Sequence, residues 1–224
     1  NMSGWDNTDT DNLSNGWKLP FVTILTCGTG GFDSNGGDCR SEAFLKAGSF
    51  AVPKGGIAAV GTATSSTHTG FNNCVNGGIY HGIFSDKLFY AGAALERGRL
   101  NLNATYPTGS DSYVQNFTHW NNLMGDAVTE LWTGVPQQLF VEAPDQIPTD
   151  ALYLETSVLD INDNPLQGVW VSLTAPDVLV SGYSDADGLV VLELPADLPS
   201  DLTLTVTKHN FKPSQMDITV ANDN

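Results

Sequence analysis

The residues best suited to chemistry are Cys27 and the glycine-rich run that follows it, Cys27-Gly28-Thr29-Gly30-Gly31. A cysteine thiolate is a nucleophile, and glycines let the backbone adopt positive φ angles and direct N–H groups at a substrate oxygen. Cys27 is therefore a candidate nucleophile and Gly28 a candidate oxyanion donor. The alternative is that Cys27 is a small buried apolar residue and the glycines form only a turn.

Two predicted strands place further side chains near Cys27. Five of the six residues over 21–26 are β-branched or aromatic, which predicts a strand buried on both faces. A second apolar run, 56–61, leads into the hydroxyl-rich segment 62–68. Parallel strands end at the same edge of a sheet, so Thr64 and His68 are candidates for the same cleft as Cys27.

Helical patterns alternate with these strands. Apolar residues recur at helical spacing over 73–100 and 113–131, and a shorter helix is predicted to begin at Ser41 as its N-cap. Glu42, in the first turn of that helix, either lines the cleft or favours the helix N-terminus. The alternation of strands and helices predicts an α/β fold with a parallel sheet.

The pattern changes after Pro136. Residues 139–144 predict an exit strand that closes a first domain over 1–143, and 144–150 predict a linker. Six short alternating runs then predict a small antiparallel sandwich over 151–224. These runs are 152–159, 168–173, 178–183, 189–194, 202–206 and 216–220.

The charge balance excludes some partners. The formal net charge of −16, from 25 acidic and 9 basic residues, repels nucleic acid and anionic lipid. No apolar run approaches the ~18 residues that a membrane helix needs, and no signal peptide heads the chain. We expect a signal and further domain material upstream of Asn1, and a secreted protein.

The cysteines and an acidic loop each allow two interpretations. Cys39 and Cys74 are the natural disulfide pair, which leaves Cys27 free, and three separate buried thiols are the alternative. Asp6, Asp9 and Asp11 lie at short intervals in a loop that could hold a structural Ca²⁺. A solvated acidic loop is the simpler interpretation of these aspartates, because the EF-hand glycine and glutamate are missing.

Six stretches in order resemble the gingipain-type cysteine peptidases, relatives of caspases and legumain, over about residues 1–143. They are NGWKLPF at 15–21, TCGTG at 26–30, SEAFL at 41–45, PKGGIAA at 53–59, GTATS at 61–65 and NNLMGD at 121–126. The tail from Ala151 is similar to the immunoglobulin-like modules that follow such domains in secreted bacterial proteins. The resemblance implies the C-terminal half of a caspase-like parallel-sheet domain followed by an immunoglobulin-like sandwich.

The resemblance also implies roles for individual residues. Cys27 stands where the family has its nucleophile, and no cofactor is required. The family's general base is a histidine in a His-Gly pair, at a position that should fall just before Asn1. None of the four histidines matches it; they are His68, His81, His119 and His209.

These observations lead to two main hypotheses for function. The first is a secreted cysteine endopeptidase that cleaves protein or peptide substrates through Cys27, with the missing upstream half of its own domain as partner. The second is an inactive caspase-like fold that serves as a structural or adhesive surface subunit. A phosphate-binding loop over 28–37 is disfavoured, because no Lys-[Ser/Thr] follows its glycines.

Overall fold

The computed structural model describes residues 4–33, 36–107 and 111–221, except for the side chain of Asp111. The chain divides into two compact units, Asn1–Thr133 and Gly134–Asn224. Each has its own hydrophobic core. No helix in the described part of the chain is long and apolar enough to cross a membrane.

The first unit is a small sheet between helical layers. Its elements are α1 (Asn7–Asp11), β1 (Phe21–Ile24), α2 (Arg40–Lys46), β2 (Ala58–Thr62), α3 (Thr69–Phe84), α4 (Ala91–Thr105), α5 (Asp111–Trp120) and β3 (Asn121–Met124). The sheet order is β1-β2-β3, with β1 parallel to β2 and β3 antiparallel to β2. The predicted strands and the parallel pairing of the first two are confirmed.

Strand β2 is the centre of this unit, since all five of its residues are buried. Its side chains alternate between two cores, as the two-residue period of a strand requires. Ala58 and Val60 pack in a cluster with residues of α3, α4 and α5, whereas Ala59 packs with Ile24 and Phe44 of α2. Because helices cover both faces of the sheet, polar and apolar residues do not alternate along β2.

The prediction of a helix over 113–131 is wrong in its second half. Helix α5 ends at Trp120, and the chain continues directly into β3. The buried side chain of Asn121 explains the change: its Nδ2 donates to the Phe117 carbonyl at 2.6 Å, and its Oδ1 accepts from Thr62 Oγ1 at 3.4 Å. Asn121 thus terminates α5 and links the chain to β2.

The second unit is a sandwich of two sheets. Its strands are β4 (Phe140–Glu142), β5 (Gln146–Pro148), β6 (Tyr153–Leu159), β7 (Trp170–Ala175), β8 (Val178–Tyr183), β9 (Leu189–Glu193), β10 (Asp201–Thr207) and β11 (Ser214–Ala221). One sheet has the order β5-β11-β10-β7-β8 and the other β4-β6-β9. Strands β6–β11 correspond to the six predicted runs.

The predicted domain boundary needs correction. Strand β4 pairs with β6, and β5 pairs with β11. Leu139 and Ile147 are buried in the sandwich core. The predicted exit strand and linker, at 139–150, are therefore strands and core residues of the second unit.

Candidate active site

Cys27 lies three residues beyond the end of β1, in the turn that leaves the sheet. Its thiol is exposed, and the next residue, Gly28, has a φ of 70°. A positive φ is unfavourable for residues with a Cβ atom, so glycine suits this turn. The turn therefore presents the cysteine to solvent beyond the C-terminal end of β1, which is only half-buried except at Ile24 and not buried on both faces as predicted.

The amide of Gly28 is already engaged. Gly28 N–H donates to the Thr64 carbonyl at 2.8 Å, and Gly30 N–H donates to the Thr62 carbonyl at 3.0 Å. These bonds tie the loop after β1 to the end of β2. They correct the prediction for Gly28, whose N–H is not free to bind an oxyanion, and leave the Cys27 amide as the candidate donor.

Thr29 anchors the loop from within. Its side chain is buried, and its one hydroxyl hydrogen is shared between the carbonyls of Ile24 and Thr26, the latter at 2.8 Å. The same oxygen accepts from Thr62 N–H at 3.2 Å. One hydroxyl thus connects β1, the cysteine turn and β2.

The Cys27 sulfur has two polar neighbours on the segment after β2. Thr67 Oγ1 lies 3.3 Å from Cys27 Sγ, and Thr67 N–H donates to the sulfur at 3.5 Å. The Thr67 hydroxyl lowers the pKa of the Cys27 thiol most, followed by the Thr67 amide, and the Ser66 amide adds to the effect. Hydrogen bonds to a thiolate favour the charged form, so Cys27 is set up to ionise below the ordinary cysteine range.

The other two cysteines lie in different surroundings. All three cysteines are free, so the structure does not contain the predicted Cys39–Cys74 disulfide. Cys39 is the N-cap of α2 on one face of the sheet, and Cys74 lies on α3, whose core is on the other face. Burial raises the pKa of the Cys39 thiol, which makes it a poor nucleophile.

His68 is the N-cap of α3. Its Nδ1 accepts a hydrogen bond from Gly70 N–H at 3.1 Å, and its ring packs 5.0 Å from that of Phe71. The Nδ1 lone pair is therefore occupied. Of the two predicted cleft residues on this segment, His68 caps a helix and Thr64 contributes its carbonyl to the Gly28 amide.

Glu42 stabilises the start of α2, the second of the two interpretations of this residue. Its carboxylate accepts from Cys39 N–H at 2.9 Å and pairs with Lys46 at 3.3 Å. The Cys39 amide is the main reason that the pKa of Glu42 lies below its usual value. The N-cap of α2 is Cys39 and not Ser41, which lies inside the helix.

The acidic loop forms a helix cap. Asp6 Oδ1 accepts from Asp9 N–H at 3.2 Å, and Asp9 Oδ2 accepts from Asp6 N–H at 2.7 Å, which is a capping box for α1. Within the described residues no group of three or more histidine, cysteine or acidic side chains is placed to hold a metal ion. The calcium prediction for Asp6, Asp9 and Asp11 gains no support from this geometry.

An exposed, hydrogen-bonded cysteine therefore lies just beyond the end of β1, in a unit whose sheet has helices on both faces. The model of Peptidase family C25 matches residues 1–132, and the chain therefore belongs to this family. A sequence search of curated proteins found no match.

Solved structures share the fold over nearly the whole chain. The Arg-specific cysteine proteinase gingipain R has a TM-score of 0.82 and 20% identity, over 97% of this chain and 49% of its own. A complex of the RgpB pro- and mature domains from Porphyromonas gingivalis has a TM-score of 0.80 and 20% identity, over 96% and 49%. A third structure, described as a protease, has a TM-score of 0.76 and 16% identity, over 96% and 50%. The chain spans about half the length of each.

Two residues at the site were not singled out from the sequence. Thr67 belongs to the hydroxyl-rich segment after the second strand, and its position beside a parallel neighbour of β1 is a signal that could have identified it. Asn72, whose Nδ2 donates to Thr67 Oγ1 at 3.0 Å, gives no such signal. An asparagine in the first turn of a helix looks like any other polar helix residue.

Proposed function

We propose that this chain carries the nucleophile of a secreted, gingipain-like cysteine endopeptidase, with Cys27 as the attacking thiolate. The observation that carries the proposal is the contrast among the three cysteines. Only Cys27 combines an exposed thiol with a lowered pKa, at the end of a sheet strand. Reactive cysteines have this combination, whereas buried structural cysteines do not.

The chemistry follows from the placement of Cys27. The thiolate attacks the carbonyl carbon of a peptide bond, a C–S bond forms, and negative charge moves to the carbonyl oxygen. The Cys27 amide is the candidate donor to that oxygen. The amine leaves with a proton from a general acid, and water then hydrolyses the thioester to release the acid and restore the thiol.

The proton-transferring histidine is proposed to come from outside residues 1–224. His68 does not fit this role, since the Gly70 amide occupies its Nδ1. Strand β1 pairs with β2 alone among the described strands, so its other edge is open to a further strand. A segment that pairs there would end close to Cys27, where a base is needed.

The decisive test compares three cysteine variants of the natural protein on a set of short fluorogenic peptides. Cys27→Ser should abolish hydrolysis, whereas Cys39→Ser and Cys74→Ser should retain it wherever the protein folds. Loss of activity only on changing Cys39 or Cys74 would contradict the proposal. An intact protein that cleaves no peptide, with or without Cys27, would favour the inactive structural subunit instead.

A further inference from the structure

The hydrogen bonds around Thr67 have a definite direction. Asn72 Nδ2 donates to Thr67 Oγ1 at 3.0 Å, and an amide nitrogen of this kind can only donate. The Thr67 oxygen is therefore an acceptor toward Asn72, and its own hydrogen is free for another partner. Cys27 Sγ, at 3.3 Å, is the acceptor within reach.

We propose that the Thr67 hydroxyl donates a hydrogen bond to the Cys27 thiolate, and that Asn72 acts as a positioning residue by fixing the direction of that hydroxyl. The inference rests on the proposed role of Cys27 as nucleophile. It assigns the reactivity of the thiolate in part to two uncharged side chains of this chain, beyond any histidine that takes part in the reaction.

The local fold holds Asn72 in position. Helix α3 begins at Thr69, so Asn72 lies in its first turn, and helical side chains tilt toward the N-terminus. Its side chain therefore reaches back to Thr67, immediately before the helix cap. Asn72 is 5% exposed, and its backbone N–H donates to the His68 carbonyl at 3.0 Å.

In a second cysteine–threonine pair, Cys74 and Thr105, the hydrogen bond has the opposite direction. Thr105 Oγ1 donates to the Asn101 carbonyl at 2.7 Å, so its hydrogen is used and Cys74 Sγ donates to it at 3.3 Å. The two hydroxyls lie at the same distance from a sulfur but present different atoms to it, because the Asn101 carbonyl uses the Thr105 hydrogen whereas Asn72 leaves the Thr67 hydrogen free. Cys74 Sγ also accepts from Asn101 Nδ2 at 3.4 Å.

Uncharged groups account for the environment of the Cys27 sulfur. The groups that lower the pKa of Cys27 are the hydroxyl of Thr67 and backbone amides, opposed by desolvation. No charged side chain is among the main causes of this pKa shift. Removing the Thr67 hydroxyl should therefore have a clear effect.

The test measures the rate of Cys27 alkylation by iodoacetamide against pH in the natural protein, by mass spectrometry of the Cys27 peptide and without substrate. In Thr67→Val the midpoint should rise by about one pH unit, as expected for one lost hydrogen bond to a charged group. At low pH the fraction of Cys27 that is ionised then falls about tenfold. A thiolate of higher pKa is also a stronger nucleophile, by about threefold for one pH unit, which offsets part of this loss. Thr67→Val should thus react about threefold slower at low pH and about threefold faster at high pH.

Three further variants separate this role from a structural one. Thr67→Ser keeps the hydroxyl and should keep the wild-type midpoint. Asn72→Leu should raise the midpoint by less than Thr67→Val, and adding it to Thr67→Val should change nothing further, because Asn72 acts through Thr67. Thr105→Val, which alters the Cys74 pair, should leave the Cys27 midpoint unchanged.

An unchanged midpoint in folded Thr67→Val would overturn the inference, as would a rise in the double variant equal to the sum of the two single rises. If Thr67→Val does not fold, an unchanged midpoint in Asn72→Leu overturns the inference in the same way. The measurement needs no peptidase activity. An active peptidase with an unshifted midpoint would refute only this inference, and a shifted midpoint in a protein without activity would refute only the proposed function.

Discussion

Gly30 and Gly61 bring the cysteine loop and the central strand into direct backbone contact. A Cβ atom on Gly30 would lie 2.6 Å from the carbonyl carbon of Gly61, closer than side-chain carbons approach other atoms. The loop after Cys27 can therefore lie against the end of β2 only because both residues lack side chains. This contact, together with the Gly30 N–H bond to Thr62, fixes where the thiol emerges from the sheet.

Adding a methyl group at this contact should displace the loop. We expect Gly30→Ala to lower the free energy of unfolding by about 1–3 kcal/mol, the usual cost of overpacking. It should also lower kcat/KM about 100-fold if Cys27 is displaced by about 1 Å. The control is Gly77→Ala on α3, where a Cβ atom meets nothing within 4 Å. Denaturant unfolding that finds both variants equally stable would contradict this interpretation.

Removing the hydroxyl of Thr29 should loosen the same loop from inside. Thr29→Val keeps the shape of the side chain but leaves the Thr62 amide and the Thr26 carbonyl without this partner. A buried group that loses its partner costs about 1–3 kcal/mol, so unfolding experiments should show a loss of that size. Thr29→Ser, which retains the hydroxyl, should recover most of the stability. A Val variant as stable as wild type would show that these bonds contribute little.

The sequence predicts those parts of the fold that depend on local pattern. The strands within 21–26 and near 56–61 and the helices over 73–100 follow from apolar spacing, and all are present, although only the second strand is buried throughout. The end of α5 depends on Asn121, which reaches both Phe117 and Thr62, 59 residues away along the chain. No local pattern contains that information. For the same reason β4 and β5, which are three residues each, are recognised as sandwich strands only through their distant partners.

The candidate site likewise contains some residues that the sequence predicts and others that it does not. Cys27 can be predicted as a site residue from its strand and its glycines, which lie within a short stretch of sequence, and from six motifs whose order along the chain resembles the family. The loss of Gly28 as an oxyanion donor depends on the Thr64 carbonyl, and the role of Thr67 depends on Asn72. These are pairwise contacts whose geometry is set by the packing of the whole unit, so sequence spacing alone does not predict them.

The three cysteines should differ in reactivity and in its pH dependence. Because the pKa of Cys27 is lowered, a larger fraction of Cys27 stays ionised as the pH falls. Because the pKa of Cys39 is raised, Cys39 becomes protonated at a higher pH than Cys27. In the folded protein iodoacetamide should therefore label Cys27 first and the buried Cys39 last, and the preference should widen toward lower pH. Peptide mapping after short exposures measures this order. Earlier labelling of Cys39 or Cys74 would contradict it.

The sandwich should be a stability element that supplies no catalytic group. Leu204, on β10, is fully buried, so Leu204→Ala should lower the stability of the second unit by about 2–5 kcal/mol. Leu179→Ala, at a side chain 74% exposed, should change stability by no more than about 0.5 kcal/mol. At temperatures where Leu204→Ala remains folded, kcat/KM for a small peptide should stay within about tenfold of wild type, a barrier change of ~1.4 kcal/mol. A loss of several orders of magnitude would place the sandwich in the site.

The most direct test of the central claim, that Cys27 is the nucleophile of a cysteine peptidase, is to trap it with a substrate-like electrophile. The natural protein would be treated with a peptidyl acyloxymethyl ketone, which forms a thioether with an active-site cysteine. Intact mass should then show one adduct per chain, peptide mapping should locate it on Cys27, and peptide hydrolysis should fall in proportion to the adduct. Loss of hydrolysis while Cys27 remains unmodified, or an inactivating adduct on another residue, would contradict the account.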